Sequence, residues 1–108
     1  MISAALLLSA LVASPDPEPP RAELCLAHVE AMIGEAQRET GRLAGPSWFI
    51  RSWWMARLPE DEAPEAWSEE QRQAFAASMP ARKIADPEAY RAELQSCVDE
   101  AIEGGALP

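Results

Sequence analysis

A chain of 108 residues is long enough for one domain with its own hydrophobic core, and it shows neither a second domain nor an internal repeat. Eighteen acidic and nine basic side chains give a formal charge of −9 at pH 7. This charge repels the phosphates of nucleic acids and anionic lipids, so we expect no nucleic-acid binding and any charge-steered partner to be basic. We also expect no stable membrane insertion once the apolar N-terminal segment described next has been cleaved.

The chain begins with an apolar segment that is typical of a secretory signal peptide. Residues 1–13 carry no charge and include four leucines, and about 20 apolar residues would be needed to cross a bilayer. We predict cleavage after Ala13, followed by an extended leader over residues 14–20, where four of seven residues are proline. A retained helix, as a weak anchor or a buried element, is the alternative. The expected location is periplasmic or secreted.

The first predicted helix runs over residues 21–40 and ends at Gly41, a residue type that favours helix C-termini. Its apolar positions recur every three or four residues, which predicts one buried stripe. That stripe comprises Ala22, Cys25, Leu26, Val29, Met32, Ile33 and Ala36.

The last predicted helix runs over residues 87–103. Asp86 is placed to cap its N-terminus, Pro87 suits the first helical position, and Gly104 with Gly105 ends it. Its apolar stripe comprises Tyr90, Leu94, Cys97, Val98, Ala101 and Ile102.

Two shorter helices are predicted between these. Ser47 is placed to cap a helix over 47–58 that Pro59 ends, and Ser68 opens a capping-box pattern for a helix over 68–79, which stops before Pro80. The acidic, proline-containing connection reads as a solvated loop. The sequence therefore predicts an all-α fold, a small antiparallel bundle of about four helices in one domain, residues 21–104, with a short tail over 105–108.

The two cysteines constrain how the helices are arranged. Cys25 lies early in the first helix and Cys97 late in the last, each on the apolar stripe. In an up-down-up-down bundle these helix ends lie side by side, so we predict a disulfide that joins the first and last helices. A redox-active pair would normally have the C-x-x-C spacing, which is not present.

A metal centre and a catalytic site are both poorly supported. Cys25, His28 and Cys97 could contribute three zinc ligands, but a fourth would have to be a carboxylate such as Glu30 or Glu35. His28 is the one histidine and hence the one candidate base of that type for a nucleophile. We therefore predict no catalytic residues, no metal and no cofactor.

The unusual segment is aromatic. Residues 48–58 contain three tryptophans, a phenylalanine and two arginines, and as a helix they are apolar almost all round. Such a helix either forms the centre of the core or leaves part of its surface for a partner, and Trp and Arg are frequent in protein interfaces. The candidate partner-binding residues are Trp48, Phe49, Arg51, Trp53, Trp54 and Arg57.

Three classes of function remain. The first is a non-catalytic, exported protein that acts by protein–protein interaction, as a chaperone, an inhibitor or a subunit of an envelope complex. The alternatives are a protein that binds a small apolar or sugar ligand on a tryptophan platform, and a membrane-associated envelope protein. The sequence names neither the partner nor the oligomeric state.

Overall fold

The computed structural model describes residues 19–42 and 45–108; the predicted signal peptide and most of the leader lie outside these residues. Over the described ranges the chain is helical, with no strand, so the predicted all-α class is confirmed. The helices are α1 (Arg21–Thr40), α2 (Gly45–Met55), α3 (Glu69–Ala77), α4 (Met79–Ala85) and α5 (Pro87–Glu103).

The helix ends follow the predicted capping chemistry where the sequence carries a clear signal. Gly41 adopts a left-handed conformation with φ of 71°, which ends α1. The Ser68 side chain and the Gln71 side chain each accept a hydrogen bond from the other's backbone N–H and close a capping box at α3. Asp86 accepts a hydrogen bond from the backbone N–H of Ala89 at 3.1 Å and caps α5.

The hydrophobic core is built by α1, α2 and α5. Its buried cluster takes five residues from α1 and two from each of the other two helices. Trp54 of α2 is 2 % exposed and donates its indole N–H to the Cys97 carbonyl of α5 at 3.0 Å, so its polar atom is satisfied within the core. The cluster comprises Ala22, Cys25, Leu26, Val29, Ile33, Ile50, Trp54, Cys97 and Ala101.

A disulfide between Cys25 and Cys97 joins α1 to α5, as predicted, with 5.3 Å between the Cα atoms. Both cysteines are fully buried. A structural disulfide indicates an oxidising compartment. None of the helices in the described part of the chain is long and apolar enough to cross a membrane.

The segment between α2 and α5, residues 59–86, is here called the arm; it carries α3 and α4. The prediction of a single helix ending before Pro80 was incomplete, because α3 ends at Ala77 and a short second helix begins at Met79. Pro80 lies in the first turn of α4, where a missing backbone N–H costs nothing, so this proline begins a helix instead of ending one.

The bounds of α2 also differ from the prediction. The helix begins at Gly45, two residues before Ser47, so Ser47 lies inside the first turn and does not cap it. The regular helix ends at Met55, and turn hydrogen bonds continue the chain to Leu58 before Pro59.

Candidate interaction surface on α2

Helix α2 has two apolar sides with different surroundings. Ile50 and Trp54 point into the core and are 4 % and 2 % exposed. On the opposite side Trp48, Phe49 and Met55 are 50 %, 45 % and 43 % exposed, and Ser52 between them is also exposed. We call these four residues, Trp48, Phe49, Ser52 and Met55, the outer face of α2. It has no charged member, and about half of the surface of each of its three large side chains is exposed.

Two arginines near this face each stack on a tryptophan, and one of them, Arg51, borders the face itself. The Arg51 guanidinium lies 5.0 Å from the centre of the Trp48 ring and also donates to Glu30 of α1 at 3.2 Å. The Arg57 guanidinium lies 3.3 Å from the centre of the Trp53 ring and donates to the Trp53 carbonyl at 3.0 Å. Such cation–π contacts hold the arginines and the rings in fixed positions.

The predicted partner-binding residues are therefore divided by the structure. Trp48 and Phe49 lie on the outer face and Arg51 lies beside it. Arg57 is exposed beside Trp53, whereas Trp54 is a core residue. Trp53 packs against the core, edge-on to Trp54 with 4.8 Å between the ring centres.

Trp53 also explains a glycine that the sequence marked as a helix end. Its indole N–H donates to the Gly104 carbonyl at 3.3 Å, and a Cβ on Gly104 would collide with the ring. Gly104 thus leaves the space that Trp53 occupies beside α5.

Charge is distributed unevenly around the outer face. Residues 41–59 contain Arg42, Arg51 and Arg57 and no acidic residue, although acidic residues outnumber basic ones two to one in the whole chain. The acidic loop that follows, with Glu60, is exposed. The segment that carries the apolar surface is therefore basic within an acidic protein, and its Arg51 is paired with Glu30 of α1.

The cysteine–histidine constellation is not assembled as a metal site. Cys25 and Cys97 are consumed in the disulfide, and the Nε2 atom of the fully buried His28 contacts Glu93 at 2.6 Å. No group of three or more His, Cys, Asp or Glu side chains in residues 19–42 and 45–108 is arranged to hold a metal ion.

Sequence reasoning missed two features. Met55 completes the outer face, and its position seven residues after Trp48, two helical turns away, is a signal that could have identified it. Glu23 is buried at 2 % exposure and forms a two-bond ion pair with Arg72 of α3, a contact that no local sequence pattern indicates.

No family model, curated protein or solved structure matches this chain.

Proposed function

We propose that this is an exported, non-catalytic protein that binds a protein partner through the outer face of α2. The observation that supports this is the exposure of Trp48, Phe49 and Met55, side by side and without a charged residue among them. Aromatic, methionine and arginine side chains are enriched at the centres of protein–protein interfaces. The disulfide and the apolar N-terminal segment support export to an oxidising compartment.

The size of the face indicates how the partner engages it. A half-exposed Trp or Phe ring offers on the order of 100 Å². The whole face thus offers a few hundred Å², well below the roughly 800 Å² per partner that a standard protein interface buries. This favours insertion of the rings into an apolar groove of the partner over a flat, symmetric dimer based on this face alone.

The border of the face suggests the chemistry of that groove. Arg51 lies against the Trp48 ring and Arg57 against the Trp53 ring, and the sequence between residues 41 and 59 has no acid. A groove with an apolar floor and acidic residues at its rim would complement this arrangement. The total charge of the chain favours a basic partner, whereas the arginines of residues 41–59 favour an acidic rim, which would compete with Glu30 for Arg51.

The ligand-platform alternative has weaker support. Arg51 and Arg57 each stack on a tryptophan ring, and Trp54 is buried. A sugar or flat apolar ligand stacking on these faces would first have to displace a guanidinium. A partner that contacts Phe49, Met55 and the exposed part of Trp48 needs no such displacement.

Site-specific photocrosslinking in the source cells tests the proposal. A photoreactive phenylalanine analogue at position 49 lies on the outer face, and the same analogue at position 84 provides a control, since Ile84 of α4 is 82 % exposed on another part of the surface. We expect one protein to crosslink from position 49 and not from position 84.

The crosslinked protein must then bind the purified chain. Trp48→Ala should weaken that binding by at least about tenfold, as for a central interface residue. Equal crosslinking from both positions, or unchanged affinity in Trp48→Ala, would remove the basis of the proposal.

A further inference from the structure

We infer that the arm, residues 59–86, is a displaceable strap that opens from the α1–α2–α5 core as a unit, with the Glu23–Arg72 pair holding it closed. The inference is independent of the proposed function. It concerns a part of the molecule that the outer face of α2 does not include.

The arm contributes a single buried side chain, Met79, to the interior. The buried cluster draws its members from α1, α2 and α5 and includes none from residues 59–86. Helix α3 has no buried residue, and Met79, at the start of α4, is the one buried side chain of the arm. Segments with few buried apolar contacts are the ones that open locally while the rest of a protein stays folded.

The strongest polar contact of the arm with the core is ionic. The guanidinium of Arg72 donates to both carboxylate oxygens of Glu23, from Nε at 2.8 Å and from Nη2 at 2.7 Å. The Glu23 side chain is 1 % exposed and that of Arg72 is 32 % exposed. Its hydrogen bond to Glu23 raises the pKa of Arg72 above the ordinary value, against the opposing effect of burial.

This pair is held in the closed state by the cost of its separation. Opening of the arm breaks two charge-assisted hydrogen bonds at once, and hydrogen bonds between charged groups are stronger than those between neutral groups. Glu69 of α3 contacts Arg72 at 3.4 Å, and Glu30 borders the same crevice on α1. Both are glutamates, so Arg72 is the cation that faces Glu23 here.

The other polar contacts of the arm are weaker. Lys83 pairs with Glu35 of α1 at 3.1 Å and Arg82 with Glu93 of α5 at 3.4 Å, with side chains about one third to one half exposed. Ion pairs with this exposure contribute little. They align the closed arm, whereas Glu23–Arg72 decides how often it opens.

Opening uncovers a defined surface. The crevice between arm and core is lined on α1 by Leu26 and Ala27 and on the arm by Trp67 and Phe75, whose rings contact each other edge-on at 5.3 Å. These apolar groups become accessible when the arm leaves, while the Cys25–Cys97 disulfide and the core cluster remain intact. The chain connections at Pro59 and Asp86 keep the arm attached at both ends.

Native-state hydrogen exchange of the purified, oxidised protein tests this inference. We expect the amides of α3 and α4 to exchange through one opening, with a common free energy below that of the amides of α1 and α5 near the disulfide. Glu23→Gln should speed the exchange of the arm amides and of the core amides by a similar factor, about tenfold or more. The reason is that the ion pair is lost both when the arm opens and when the whole protein unfolds, so its removal makes each of these events easier.

Ile50→Val is the matched control. Ile50 belongs to the core cluster, so its truncation should speed exchange in the core by about two- to tenfold and leave the arm unchanged. Arg72→Lys, which keeps the charge and loses the two-bond geometry, replaces Glu23→Gln if that variant does not fold. Equal protection of arm and core in the wild type, or equal acceleration of both by Ile50→Val, would show that the molecule opens as a single cooperative unit and would overturn the inference. Unchanged exchange of the arm amides in the Glu23 or Arg72 variant would also overturn it, because the ion pair would then not hold the arm closed.

Discussion

His28 illustrates how a polar ring is held in the interior of this small domain. It is completely buried, its Nε2 atom contacts the Glu93 carboxylate at 2.6 Å, and its ring packs on Tyr90 with 4.6 Å between the centres. Its Nδ1 atom has no hydrogen-bond partner among the described residues. Glu93 is therefore the group that satisfies this imidazole.

Removal of the Glu93 carboxylate should destabilise the fold. Glu93→Ala leaves the Nε2–H of His28 buried without an acceptor, and we expect the free energy of unfolding to fall by about 1–3 kcal/mol. Glu93→Gln keeps an acceptor oxygen and should retain most of the stability. Urea unfolding of both variants measures this, and equal losses in the two would contradict the role given to the hydrogen bond.

Tyr90 predicts an alkaline pH dependence. Partial burial, with a smaller contribution from Glu35, raises the pKa of Tyr90, while Lys83 acts in the opposite direction. Because the folded state favours the neutral phenol, this contribution to stability is complete below the ordinary tyrosine pKa of about 10 and is lost as the pH rises through the higher folded value. Urea unfolding above about pH 9 should show the loss in the wild type and a smaller one in Tyr90→Phe. Identical slopes would contradict it.

At the scale of the helices, the bounds of α1 and α5 were predicted, those of α2 and α3 only approximately, and α4 was missed. Helices α1 and α5 have the predicted bounds, because Gly41, Asp86 and Pro87 are all residues with a strong positional preference. Helix α4 was missed because Pro80 is compatible both with ending one helix and with starting the next. Local pattern alone does not distinguish these cases.

The two sides of α2 show the same limit. The sequence identified the helix as apolar all round, but which tryptophan is buried depends on how the helix rotates against α1 and α5, a property of tertiary packing. The structure assigns Trp54 to the core and Trp48 to the surface. Of the six predicted contact residues, Trp48 and Phe49 thus lie on the exposed side and Arg51 lies beside it.

This assignment predicts a large effect at Trp54. Trp54→Ala removes a ring that is 2 % exposed and its hydrogen bond to the Cys97 carbonyl, so we expect a loss of about 3–5 kcal/mol in the free energy of unfolding, measured by urea titration. Trp54→Phe keeps most of the volume and should lose less. A loss below about 1 kcal/mol for Trp54→Ala would contradict a core position.

At the scale of the whole molecule, the disulfide was predictable because the antiparallel arrangement brings the start of α1 beside the end of α5. The division into a three-helix core and an arm was not. It depends on Glu23, an acidic residue at a buried position, finding Arg72 49 residues later in the chain. No periodicity in the sequence marks such a pair.

The disulfide should dominate the stability of the chain. It closes a sequence separation of 72 residues, which corresponds to about 4 kcal/mol in the chain-entropy description. The double variant Cys25→Ala/Cys97→Ala should lose stability of this order in urea unfolding, and treating the wild type with reductant should have a similar effect. A double variant as stable as the oxidised wild type would contradict it.

The most direct test of the proposed binding surface compares two properties of one variant. Trp48→Ala removes a half-exposed ring, so its urea unfolding and helical circular dichroism should match the wild type within about 0.5 kcal/mol, while its affinity for the protein captured from position 49 should fall by at least about tenfold. Loss of binding with an unchanged fold is the result that the account predicts. Unchanged binding, or a loss of binding that only accompanies unfolding, would contradict it.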